Sequence, residues 1–190
     1  MNRAKIYAGL VCLALAPLTH AKTVLPDACG DESIKFDVTT QKDQPAPQPP
    51  PAGSAQIVFA EEQNARTSFH LVTARYGVDG NWVGANYGDS YFVVNVTPGV
   101  HHLCVNAQGE KKAVGVTSFT AEAGKIYYYE ASTTVTRSGG GMVTTNGPNG
   151  PSTGMAPGSV NKNFQFNQLS EDEGKYRIKA WKLATWKTKK

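Results

Sequence analysis

Cys29, Cys104, His101 and His102 are the side chains of this chain whose chemistry would matter most. Two thiols bridge in an oxidising compartment, whereas thiolates with imidazoles hold a metal. Cys29, Cys104 and His102 would supply three metal ligands, and no fourth stands nearby in sequence. The expectation is therefore a Cys29–Cys104 disulfide, with no metal and no cofactor. It would close a loop of 76 residues, which loop-closure entropy values at roughly 4 kcal/mol.

Catalysis needs more than isolated reactive groups. No HExxH or CxxC pattern occurs, so the usual zinc and redox arrangements are missing. A histidine acting as a base needs an oriented partner, and none is adjacent to His101, which follows the Pro98-Gly99 turn and is expected to hydrogen-bond backbone instead. No catalytic residue is assigned, and the chain is read as a non-enzyme. Residues 137–160 carry seven glycines and three prolines but lack GxxxxGK[ST], so they are no phosphate cradle.

Aromatic rings offer binding chemistry. Trp82, Tyr87 and Tyr91 surround one hairpin, and Trp181 and Trp186 stand among lysines near the C-terminus. Exposed rings stack on sugars or anchor protein partners, which makes these five the candidate binding residues. The competing use is cross-strand packing, which Tyr127, Tyr128 and Tyr129 share on a single strand.

The elements that must position these residues begin with a leader. Arg3 and Lys5 precede an apolar run over 6–18, and Thr19-His20-Ala21 fits a cleavage site after Ala21. The run falls short of the roughly 20 residues a spanning helix needs, and Val11 before Cys12 does not suit lipid attachment. Residues 1–21 are therefore read as a signal peptide, and the protein as exported to the periplasm, the cell envelope or outside the cell. The 169 residues that follow fit one domain with a real core. Their charge is segregated: 22–174 hold ten basic and fifteen acidic side chains, and 175–190 hold seven basic and none acidic.

Residues 22–42 form an N-terminal strap whose SIKFDVTT could add as an edge strand. The segment 43–54, DQPAPQPPPAGS, has five prolines and reads as an extended linker. Over 55–169, the runs QIVFA, SFHLVTARY, NWVGA, SYFVVNV, HHLCVN, VTSFTA, IYYYEAS and NFQFNQL are bounded by turn residues. They predict a mainly β fold, an immunoglobulin- or prealbumin-like antiparallel sandwich. Asp79-Gly80 is a two-residue hairpin signal, and Pro98-Gly99 and Ala123-Gly124 mark further reversals. Alternation puts Phe92, Val94, Val96, His101, Leu103 and Val105 in the core and sends Val100, His102 and Cys104 to the opposite face. The bridge would then tie the strap across the outside of the sheet. The glycine-rich span 138–158 reads as a long flexible loop. In 170–190, Ser170 with Glu173 forms a capping box that opens a helix of two or three turns, followed by a basic tail.

VDGNWVGANYGDSYFVVNVTPGVHHLCV and FTAEAGKIYYYEA resemble the bacterial domain-of-unknown-function family 2846 and, more loosely, the PEGA modules of envelope proteins. The likeness rests on Asp79-Gly80, Val83-Gly84 and Pro98-Gly99 with His101, over residues 56–133 and the acidic helix start. It implies a β fold and an envelope location, and it implies no activity. The expected function is a non-enzymatic envelope module that holds a protein or peptidoglycan partner, with peripheral membrane contact through the basic tail. The alternative is a small-ligand module for glycan or lipid. Export argues against nucleic acid as a partner.

Overall fold

The computed structural model describes residues 25–62, 72–110, 113–147, 150–155 and 158–189. The expected leader lies outside these residues, as do the first four residues of SFHLVTARY.

Two sheets face each other. The larger has the strand order β1-β12-β5-β2-β8-β11 and the smaller β4-β3-β6-β7. The larger comprises β1 (Lys35–Gln41), β2 (Ala55–Glu61), β5 (Ser90–Val96), β8 (Ile126–Ser138), β11 (Ser159–Leu169) and β12 (Lys182–Lys189); the smaller comprises β3 (Thr73–Val78), β4 (Asn81–Tyr87), β6 (Gly99–Ala107) and β7 (Val114–Ala121). Strand β2, AQIVFAE, is buried at every position because it has cover on both faces. Ile57 and Phe59 face the smaller sheet and meet Tyr76, Phe92, Leu103, Val105, Tyr129 and Phe164. Val58 and Ala60 face the other way, onto Tyr91, Tyr128 and Ile178. Full burial of each such side chain is worth about 1.5–3 kcal/mol. The expected core holds: Phe92, His101, Leu103 and Val105 are buried, with Val94 and Val96 packed at its margin.

The turns do different work from one another. Asp79 (φ 50°) and Gly80 (φ 82°) close the β3–β4 hairpin with two positive φ angles, the twist-matched form that Asp-Gly favours. Pro98-Gly99 and Ala123-Gly124 also reverse the chain, but each carries it from one sheet to the other. One result is that the sandwich is not purely antiparallel: β2 pairs β8 in parallel, and β12 pairs β5 in parallel through two residues.

Two expectations near the C-terminal end need correction. The span 138–158 is not one long loop, since β9 (Met142–Gly147) and β10 (Gly150–Met155) pair as an antiparallel hairpin beyond the β8–β11 ribbon. The basic tail is not a free segment either. Helix α1 (Glu171–Ile178) starts as predicted, with the Ser170 Oγ accepting from the Glu173 amide at 3.3 Å. After it comes β12, which antiparallel pairing over seven positions ties to β1. Ala184 and Trp186 alternate inward there, and burying them outweighs any helical continuation of the same residues.

Candidate functional site

The smaller sheet carries a dense polar architecture on its outer face, where the N-terminal strap crosses β4, β3 and β6. Cys29 bridges to Cys104 with Cα atoms 5.1 Å apart, and both are buried. On β3, Ala74 and Tyr76 take the core, so Arg75 and Gly77 must face outward beneath the strap. Arg75 is 2% exposed. Its guanidinium lies 4.4 Å from the centroid of the Trp82 ring and donates to the carbonyls of Glu32 and Ile34 and to Asn106 Oδ1. Burial lowers its pKa, and the charge of Glu32 opposes that shift. The guanidinium stays cationic even so. Trp82 Nε1 donates to the Asp31 carbonyl at 2.7 Å. The Gln108 side-chain amide pairs with both backbone groups of Phe36, at 2.6 and 3.1 Å. A Cβ on Gly77 would stand 2.8 Å from the Ala28 carbonyl, so only glycine lets the strap lie this close.

Asp79 and His101 lock the adjoining hairpin to β6. Asp79 Oδ2 is 2.6 Å from His101 Nδ1, and Oδ1 accepts from the His102 amide at 2.8 Å. His101 Nε2 lies 2.7 Å from the Thr97 carbonyl. Carboxylate and carbonyl oxygens only accept, so both ring nitrogens carry protons in this arrangement. Burial pushes the His101 pKa down, but the Thr97 bond together with the Asp79 bond and charge outweighs it, and the net shift is upward. Asp79 is pushed up by burial, and the His102 amide and the two imidazoles bring it below its usual value. An imidazolium with both nitrogens engaged has no lone pair left for base catalysis. The oriented partner that sequence adjacency did not reveal is thus Asp79, and its effect is to fix the turn.

The five candidate binding aromatics do not assemble into one exposed face. Tyr87 is 37% exposed, while Trp82 is engaged by the strap. Tyr91 is buried beneath α1 and Trp181 packs at the edge of the same cluster. Trp186 stacks edge-on against Phe92 with centroids 4.8 Å apart. Packing won at four of the five: Trp82, Tyr91 and Trp186 alternate onto covered faces of their strands, and Trp181 is carried onto its cluster by the turn after α1. Three of the tail's seven cations are paired as well. Arg177 contacts Glu62, Glu130 and Glu173, Lys175 contacts Glu171, and Lys189 contacts Asp37. The residues missed in sequence are Arg75, Asn106 and Gln108. Hairpin register puts Arg75 on the face of Cys104, so the predicted bridge combined with that register was the signal that could have found it.

Among the described residues, no three His, Cys, Asp or Glu side chains gather as a metal site, and no helix is long and apolar enough to cross a membrane. No family model, curated protein or solved structure matches the chain.

Proposed function

We propose that the chain is an exported, non-enzymatic β-sandwich module that holds a protein or cell-wall partner at the cell envelope. The observation that carries this reading is the commitment of its reactive side chains to architecture. The Cys29 and Cys104 thiols are spent in a bridge, both His101 nitrogens are bonded, and Arg75 is sealed beneath strap carbonyls. A disulfide at the centre of a clamp favours an oxidising compartment, in keeping with the leader-like residues 1–21 and the family resemblance. The partner contact falls to surfaces the fold leaves open. These are the β9–β10 hairpin, in a stretch over 138–161 with no charged residue, and the basic side chains of Lys179, Lys182 and Lys187.

Co-sedimentation with isolated peptidoglycan, outer-membrane vesicles and buffer alone, at low and high salt, tests the reading. Pelleting with one fraction is expected. Ser138 and Ser159 are register partners, so an Asn-Gly turn in place of 139–158 removes the hairpin without disturbing β8 or β11, and this variant is expected to stay in the supernatant. Loss of pelleting in high salt would assign the contact to the lysines, because exposed ionic contacts are screened. If neither fraction carries the protein down at either salt, the envelope reading fails.

A further inference from the structure

The strap is held in a way that does not depend on its belonging to the same molecule. Beside the Cys29 bridge, the hydrogen bonds that Arg75, Trp82, Gly80 and Gln108 make with it go to strap main-chain atoms: Arg75 and Trp82 bind the carbonyls of Asp31, Glu32 and Ile34, Gly80 binds that of Ala28, and Gln108 brackets Phe36. The seat therefore recognises an extended backbone that presents a cysteine at the height of Cys104. Strap and β1 together form an arm, and 42–54 is the tether that joins it to β2. That tether belongs to no strand and holds five prolines. At about 3.1 Å per residue it spans about 40 Å, enough to lay the arm on a neighbouring body as well as on its own. Along β1 the pairing strand is β12, a contact that a second copy offers identically.

We propose that the seat formed by Arg75, Trp82, Cys104, Asn106 and Gln108 also takes the strap of a second copy of this chain, giving a reciprocally strapped dimer locked by two Cys29–Cys104 bridges between chains. The exchange is isologous: each body receives the arm it gives, so the assembly closes at two. Each bridge forms when the Cys29 and Cys104 thiols lose their protons and one electron each, an S–S bond replaces two S–H bonds, and glutathione disulfide is reduced to two glutathione molecules. The tethered arm competes at an effective concentration of about 1 mM. Exchange is therefore negligible in dilute protein and substantial when the chains are crowded.

The test uses the full chain carrying Cys12→Ser, so that only the two bridging thiols remain. Equal amounts of ordinary and nitrogen-15-labelled protein are reduced, unfolded and reoxidised together with a glutathione and glutathione disulfide mixture, at about 1 µM and about 0.5 mM. Non-reducing gels and mass spectrometry of the bridged peptides give the readout. At the higher concentration about a third of the chains are expected in a covalent dimer, about half of those dimers joining Cys29 of one label to Cys104 of the other, and at the lower almost none. Monomer alone at both concentrations overturns the proposal. So does a dimer in which Cys29–Cys29 or Cys104–Cys104 links are as abundant as Cys29–Cys104, because a seated strap brings only the unlike pair together.

Discussion

Replacing Gly174 by alanine pits helix propensity against packing, and the structure decides the sign. Gly174 lies inside α1, where alanine is ordinarily favoured by about 1 kcal/mol. It is also buried, and a Cβ there would overlap the Tyr128 ring, meeting Cγ and both Cδ atoms closer than real contacts allow. The Tyr128 ring is 4% exposed and packed with Val58, Tyr91 and Ile178, so it has nowhere to swing. Overpacking costs about 1–3 kcal/mol, and three simultaneous overlaps with a held ring place this case near the upper end. The net is a loss of about 2 kcal/mol, or a melting temperature lower by about 4–8 °C for a domain of this size. Calorimetry of Gly174→Ala measures it. The same substitution made on Tyr128→Ala, where the ring is gone, should regain the propensity term and stabilise by about 1 kcal/mol. A Gly174→Ala protein that melts higher than its parent, or a substitution whose sign is the same in both backgrounds, would refute the reasoning.

Asp79→Asn weakens the imidazolium clamp. The folded His101 pKa is raised, so its contribution is fully present below the unfolded value near 6.5 and is lost as pH rises through the folded one. Urea midpoints should therefore fall between pH 5.5 and 8.5 in the parent and fall less in Asp79→Asn. Glu61 is held well above the usual carboxyl range by burial and by the Asp89 charge. The folded state thus binds the extra proton, stability declines as pH rises from about 4.5 upward, and Glu61→Gln should be the more stable protein at pH 8 in the same titration. The Cys29→Ser, Cys104→Ser pair opens a loop with a sequence separation of 75 and should cost roughly 4 kcal/mol in denaturant unfolding, an effect that reduction of the parent reproduces.

The alternation of apolar residues made most of the sandwich legible. Phe92, Leu103 and Val105 stand where period-2 reasoning put them, and Asp79-Gly80 and Ser170 act through local chemistry that sequence states directly. Long-range assignment was harder. The residues from Gly174 to Lys189 satisfy helical and strand periods in turn, and the choice rested on an open slot between β1 and β5 that no local pattern reveals. The candidate aromatics were misleading for the same reason: a ring beside a hairpin looks exposed until α1 covers Tyr91 or Phe92 receives Trp186. Arg75 reads as a surface residue by composition, and its burial follows only once the bridge draws the strap across β3.

The β1–β12 ribbon joins positions far apart in the sequence, with Lys35 facing Lys189, and pairs with the remaining sheet through Lys182 and Leu183. A chain emerging from the ribosome cannot complete this sheet until residue 189 is clear of the exit tunnel, whatever its earlier segments have done. Until then β1 lacks its partner and Phe92 faces an empty place where Trp186 will stand. The larger sheet therefore closes only after Lys182–Lys189 has been made, however early β1 emerges.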